Sequence, residues 1–251
     1  MSDAPARVAV VTGAGTGIGR ATARALLDAG FRVALAGRRE HPLVEAAAGD
    51  PAALVVPADV SAPDDVARLF DTVLASWGRV DVLVNNAGTF GPAGSVDEID
   101  PEQFAATLAV NVTGTMLCTA AAFRIMRAQQ PQGGRIVNNG SVSARVPRPQ
   151  SVAYTTSKHA LTGLTRSTEL DGRPYRITCG QIDIGNVATE ITRTIGTGSG
   201  ALQPDGTRRA EPTFDVRVAA EAICAMASLP LDVSVGHVEL TAAGMPLAGR
   251  G

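Results

Sequence analysis

A doubly wound α/β architecture is expected for this chain: a mostly parallel sheet of about seven strands with helices on both faces. Three observations lead there. Short β-branched runs alternate with longer segments whose apolar residues recur near helical spacing. The strand candidates are apolar throughout rather than alternating, as strands covered on both faces are. The first of them ends in a glycine-rich turn with a helix immediately behind it, the opening of a βαβ unit.

The strands read as RVAVVTG (7–13), RVALAG (32–37), ALVVPA (53–58), VDVLVNN (80–86), GRIVNNG (134–140), YRITCGQI (175–182) and GHVELT (236–241). Helices are expected over 18–30, 62–78, 101–129, 152–170 and 216–229. Pro101 stands where a first helical turn tolerates proline, and Gly30 and Gly78 follow helices as C-terminal caps do. In such sheets ligands bind beyond the carboxyl ends of the strands.

A chain of 251 residues can bury a full core, and no linker, charge block or repeat divides it, so one domain spanning 1–251 is expected. A net charge of −2 with scattered Lys and Arg gives no sign of nucleic-acid or anionic-membrane binding. Cys118, Cys179 and Cys224 have neither CxxC spacing nor even number, which argues against a disulfide scaffold and a thiolate metal site. The apolar run near the start is short and ends in Gly13, and no stretch approaches the roughly 18 residues of a membrane span. A cytoplasmic protein is expected.

Two short motifs carry chemistry. VTGAGTGIGRA fits T-G-x-x-x-G-x-G through Thr12, Gly13, Gly17 and Gly19, and not G-x-G-x-x-G, whose last position holds Ile18. Glycines there permit a tight turn, let backbone approach a pyrophosphate and aim a helix N-terminus at its charge. In AYTTSKHA, Tyr154 and Lys158 stand one helical turn apart. That spacing alone suits a helix surface, where a lysine stem lies against a ring, or chemistry, where an ammonium stabilises a phenolate.

The T-G-x-x-x-G-x-G turn, NNAG at 85–88 and Tyr154-x-x-x-Lys158, in this order over nearly the whole chain, resemble the short-chain dehydrogenase/reductase family. The resemblance implies a single-domain Rossmann fold with strand order 3-2-1-4-5-6-7, binding of NAD or NADP, and hydride transfer between a carbonyl and an alcohol. It implies a catalytic tetrad of Asn111, Ser141, Tyr154 and Lys158. Ser141 would hold the substrate oxygen and Tyr154 would deliver its proton. Lys158 would depress the phenol pKa and bind the nicotinamide ribose, and Asn111 would hold a water linking Lys158 to solvent. Ser143 reads as a loop residue or substrate contact and Ser157 as packing, while His159 and His237 read as structural and Trp77 as core.

Cofactor contacts implied by the family pattern are Gly13, Thr16, Gly17, Ile18 and Gly19 in the first turn, Asp59 and Val60 at the adenine end, and Asn86, Ala87 and Gly88 along the dinucleotide. Tyr154 and Lys158 would meet the ribose, and Gly185, Val187 and Thr189 the carboxamide, although Ile184 replaces the family's proline and Gly180 its usual asparagine. An acidic residue ending the second strand selects NAD, whereas an arginine accommodates the 2′-phosphate of NADP. Gly37 holds the acidic position and Arg38 and Arg39 follow, so NADP(H) is expected with Arg38 as its contact, NAD(H) being the alternative.

Residues 190–214 combine Gly, Thr and Pro without periodicity and read as a lid over the substrate. Val146, Pro147 and Pro149 suggest a modest apolar pocket wall. The partner is expected to be a small-molecule carbonyl or alcohol. Reduction of a 3-oxoacyl group on acyl carrier protein is the alternative, with Arg124, Arg127, Arg166 and Arg173 as a docking face; a dinucleotide-binding sensor is the alternative outside catalysis. The small-residue faces of the fifth and sixth helices, and the family habit of pairing them, point to a homo-oligomer, a dimer or homotetramer, and the tail from Met245 would cover a neighbouring subunit or the site.

Overall fold

The computed structural model describes residues 6–189 and 200–247. In chain order the main elements are β1 (Val8–Thr12), α1 (Gly17–Asp28), β2 (Arg32–Gly37), α2 (Glu40–Ala47), β3 (Ala53–Pro57), α3 (Pro63–Trp77), β4 (Val82–Asn85), α4 (Pro101–Leu108), α5 (Thr115–Ala128), β5 (Gly134–Asn139), α6 (Val152–Gly172) and β6 (Ile177–Gly185). Four two-residue strands follow, β7 (Val187–Ala188), β8 (Ala201–Leu202), β9 (Arg208–Arg209) and β10 (Phe214–Asp215), then α7 (Val216–Ser228) and β11 (His237–Thr241).

Seven strands form one sheet of order β3-β2-β1-β4-β5-β6-β11, and every pairing in it is parallel. This is the expected order, with β11 as its last strand. Along β1, Ala9 and Val11 enter one core with α1, α2 and α7, while Val8 and Val10 enter the other with α3 and α5. Both faces are therefore covered, which is why the strand reads as continuous apolar sequence. Leu26 of α1 and Leu69 of α3 are fully buried, one in each core, and truncating either to Ala removes about 2–5 kcal/mol. The chain reverses its winding between β1 and β4, and the crevice beyond their carboxyl ends holds the site described below.

Several elements differ from the expectation. α2 is absent from it: the helix is two turns long, with Pro42 in its first turn and Leu43, Ala46 and Ala47 as its buried side. The long helix expected over 101–129, with an interruption at Asn111, is α4 and α5 joined by a π-helical stretch, Ala109–Gly114, that contains Asn111. By length and mean hydropathy of 1.4 this continuous segment would suit a membrane span, contrary to the expectation that no stretch does; here it lays Cys118, Ala121, Ala122 and Met126 into the core beside α3. β6 begins and ends later than expected, because Arg173–Tyr175 form a 3₁₀ turn and the polar Asp183 continues the strand. Of the segment expected to form a lid, residues 190–199 lie outside the described residues. The remainder is not structureless, since β8 and β9 form an antiparallel hairpin. The end of the tail, 248–251, also lies outside the described residues.

Candidate active site

The site is assembled at the carboxyl edge of β1, β4, β5 and β6. α1 opens there with Thr16 in extended conformation and no side-chain cap on its first turn. The N–H groups of that turn have no partner within the helix, and they face the crevice. Gly19 is not part of the lining. It is buried in the first turn of α1, where a Cβ would overlap the Gly13 carbonyl oxygen, so glycine there lets the helix seat against the turn. Thr12 and Asn86 brace the same turn: Thr12 Oγ1 accepts from the backbone N–H of Asn86 and Ala87, each at 3.0 Å, and Asn86 Nδ2 donates to the Thr12 carbonyl at 3.0 Å.

Two adjoining cavities run along this edge. One, of about 580 Å³, is lined by Gly13, Gly37, Arg38, Asp59, Val60, Ala87 and Gly88 among others. The second, of about 500 Å³, takes in Thr16, Gly17, Ile18, Asn86, Ser141, Tyr154, Lys158, Gly185, Val187 and Thr189. Gly13, Arg38 and Gly88 line both, so the two are one channel. Every expected contact residue except Gly19 and Asn111 faces it. Asp59 holds Ser61 through its carboxylate, with Oδ1 2.6 Å from the Ser61 hydroxyl, and that bond lowers its pKa. Val146, Pro147 and Pro149 are not in the lining. The wall beyond Ser141 is instead Val142, Ser143, Arg148 and Ser151, with Phe90 and Asn186 facing them.

At the inner end of the channel stand Ser141, Tyr154 and Lys158. Ser141 follows β5 in extended conformation, and its hydroxyl oxygen accepts from the Ser143 N–H at 3.1 Å. Tyr154 lies in the first turn of α6, with the Phe90 ring 4.6 Å away and the Ser141 hydroxyl as its hydrogen-bond partner. Lys158 is one turn on and 7 % exposed; Nζ donates to the Asn139 carbonyl at 2.8 Å and lies 5.5 Å from the Tyr154 ring centre.

Electrostatics here run opposite to the expectation of a depressed phenol. Burial pushes Tyr154 up, the Ser141 hydrogen bond pulls it down, and the Asp183 charge pushes it up again. Burial also lowers Lys158 to about 8, which Asp183 partly opposes, so the ammonium itself is penalised in this low-dielectric corner. Asn111 sits in the π-helical stretch between α4 and α5. Its amide is engaged by Thr89, accepting from the N–H and donating to the carbonyl at 2.8 Å each, and it donates to Ser157 Oγ at 2.9 Å. Ser157 in turn donates to the Tyr154 carbonyl at 2.7 Å, so it braces the helical turn that carries Tyr154 and Lys158 rather than merely filling space.

Sequence reasoning passed over several residues that shape the site. Arg148 forms a bidentate pair with buried Glu211, at 3.0 and 2.6 Å, and Asn186 bridges the two. Glu211 stays ionised at a pKa of about 2: its bonds to Arg148, Asn186 and Gln203 overcome the upward push of burial. Another signal was open to counting. Among the 22 basic residues Lys158 is the only lysine, so the chain uses arginine everywhere except at this buried position.

The profile of the family described as short chain dehydrogenase matches residues 7–199. Momilactone A synthase of Oryza sativa is 38% identical over 192 residues, covering 74% of this chain and 69% of that protein. Among solved structures, the 3-ketoacyl-(acyl-carrier-protein) reductase of Brucella melitensis complexed with NADH superposes with a TM-score of 0.82 at 26% identity, over 93% of this chain and 96% of that one. The alcohol dehydrogenase of Thermococcus sibiricus complexed with 5-hydroxy-NADP gives 0.79 at 27% identity, over 94% and 96%. With its parallel sheet order, its channel at the strand ends and these relatives, the chain belongs to the short-chain dehydrogenase/reductase family of oxidoreductases, whose cofactor is a nicotinamide dinucleotide.

Proposed function

We propose that this protein is an NADP(H)-dependent carbonyl reductase that interconverts a ketone or aldehyde with an alcohol, Tyr154 serving as general acid and base. The observation that carries the reading is the meeting of Ser141, Tyr154 and the chain's only lysine in the lining of one cavity. The channel fits a dinucleotide: an uncapped helix N-terminus and Lys158 line one of its cavities, Asp59 and Val60 the other, and Arg38 both. Gly13, Thr16, Gly17 and Ile18 would hold the pyrophosphate, Asp59 and Val60 the adenine, Asn86, Ala87 and Gly88 the dinucleotide's length, and Gly185, Val187 and Thr189 the carboxamide. The bound cofactor supplies or accepts the hydride.

The chain's own groups handle the oxygen and its proton. Ser141 donates a hydrogen bond to the carbonyl oxygen, which gains negative charge during reduction. Tyr154 gives that oxygen its proton. A phenol held above its ordinary pKa stays loaded with its proton at neutral pH, which suits reduction better than alcohol oxidation. Lys158 anchors the ribose and places positive charge near the phenolate that remains. Asn111, through Thr89 and Ser157, holds the backbone on either side of that site.

Arg38 follows Gly37 at the end of β2 and lines both cavities, which supports NADP(H) over NAD(H). Exposed Arg124, Arg127, Arg166 and Arg173, with the likeness to a carrier-protein reductase, favour a second reading in which the substrate is a 3-oxoacyl group on acyl carrier protein. NADPH consumption with simple ketones, aldehydes, quinones and 3-oxoacyl thioesters tests both. Turnover confined to carrier-bound thioesters selects the second reading, and tight NADPH binding without turnover overturns both in favour of a sensor. The chain is read as one domain, 1–251, assembled into a dimer or tetramer: Met116 on α5 and Leu170 on α6 are large apolar side chains left exposed on the helices that would pair.

A further inference from the structure

The reaction described above assigns no task to Asp183. β6 carries this carboxylate, 1 % exposed, beneath the loop that presents Ser141. Oδ1 accepts from the Ser141 backbone N–H at 2.9 Å and from Gln181 Nε2 at 2.7 Å, and Oδ2 lies 2.9 Å from His237 Nε2. Arg145 Nη2 is 3.2 Å from His237 Nδ1. A guanidinium only donates, so Nδ1 accepts, and the ring proton sits on Nε2, directed at Asp183. The approach to Ser141 depends on Gly140, where any Cβ would overlap Asp183 Oδ1. Loop, strand and edge strand are thus fitted around one anion, which is costly to bury unless hydrogen bonds and a nearby cation compensate it.

We propose that Asp183 is a positioning residue of the active site: its buried carboxylate fixes Ser141 through the backbone N–H and supplies the negative charge that balances the Lys158 ammonium. The groups around it are few. His237 faces it from β11, with Arg145 behind that ring and Glu239 3.9 Å from Arg145; on the α6 side Lys158 Nζ donates to the carbonyl of Asn139, which pairs with Ile182 next to Asp183 in the β5–β6 register, and Tyr154 bonds to the hydroxyl of Ser141, whose N–H Asp183 accepts. Its charge raises the pKa of both Tyr154 and Lys158. Removing that charge makes it easier for each to lose a proton, so both titrations move to lower pH.

Because Lys158 is the only lysine, protein grown on isotope-labelled lysine gives one side-chain resonance, whose midpoint in the wild type falls at about pH 8. In Asp183→Asn the midpoint falls below that value. In His237→Gln, whose amide can donate to Asp183 and accept from Arg145, it stays. An unchanged midpoint in Asp183→Asn, or an equal shift in both variants, overturns the proposal. Thermal melting at neutral pH checks folding, and Asp183→Ser, which keeps an acceptor without the charge, serves if the asparagine variant fails to fold.

The kinetic consequence rests on the carbonyl-reductase reading. The alkaline limb of kcat moves to lower pH in Asp183→Asn, whereas a structural defect alone would lower kcat at every pH. Absence of turnover in the wild type overturns the proposed function, and the lysine resonance still decides the role of Asp183.

Discussion

Replacing Lys158 by methionine separates the two effects of its ammonium. In the folded chain burial lowers Lys158 to about 8 from an ordinary 10.5, so between those values the unfolded chain binds more proton and stability rises with pH. Below that window the folded state carries the full penalty. Lys158→Met therefore raises stability at pH 7 by on the order of 1–3 kcal/mol in urea denaturation, while carbonyl reduction is lost. Tyr154→Phe keeps the ring against Phe90 and removes only the acid, so kcat falls about 10²–10⁴-fold with melting temperature nearly unchanged. The proposed tetrad was legible through the family resemblance, which turns the four-residue step from Tyr154 to Lys158 and the thirteen-residue step back to Ser141 into a pattern that neither spacing makes alone. Asp183 was not: a polar residue within an apolar strand looks like a strand's end, and only the fold brings the Ser141 N–H and His237 to it.

Elements were legible where they were long and periodic. β1 through β5, α1, α3 and α6 fall where apolar spacing puts them, and capping residues marked their ends: Gly78 closes α3 in the left-handed conformation, and Pro101 opens α4. What escaped was short or stabilised by distant partners. α2 has two turns, the β8–β9 hairpin has two residues a side, and the Arg148–Glu211 pair joins positions far apart in the chain. That pair ties the hairpin segment to the loop after Ser141. Arg148→Met takes the guanidinium from buried Glu211 and leaves it the Asn186 and Gln203 amides, at a cost of about 3–5 kcal/mol in urea denaturation, whereas Arg148→Met/Glu211→Leu recovers most of it. At the end of β2, the nearest atom to a Cβ on Gly37 would be Leu43 Cδ2, at 3.4 Å, an ordinary van der Waals contact, so the β-carbon of a side chain fits there. Gly37→Asp/Arg38→Leu reverses the preference from NADPH to NADH in fluorescence titration, and equal affinity of the wild type for both would contradict the assignment of Arg38.

At the scale of the whole molecule, the parallel, doubly wound sheet followed from the alternation of strands and helices and its strand order from the family resemblance, and the winding reversal between β1 and β4 fixes where the channel lies. Substrate identity did not follow, because the wall that chooses it is made by Phe90, Arg148 and Asn186, brought together from three separate connections. Assembly belongs to this scale as well: light scattering at micromolar concentration gives a dimer or tetramer, and Leu170→Glu shifts it toward the protomer. The central claim is that Tyr154 gives the proton while NADPH gives the hydride. Its most direct test is single-turnover oxidation of bound NADPH by a reactive ketone at neutral pH, in wild type and Tyr154→Phe. Oxidation in the wild type and its near-complete loss in the variant, with NADPH binding retained, is the predicted result; equal rates in the two proteins would contradict it.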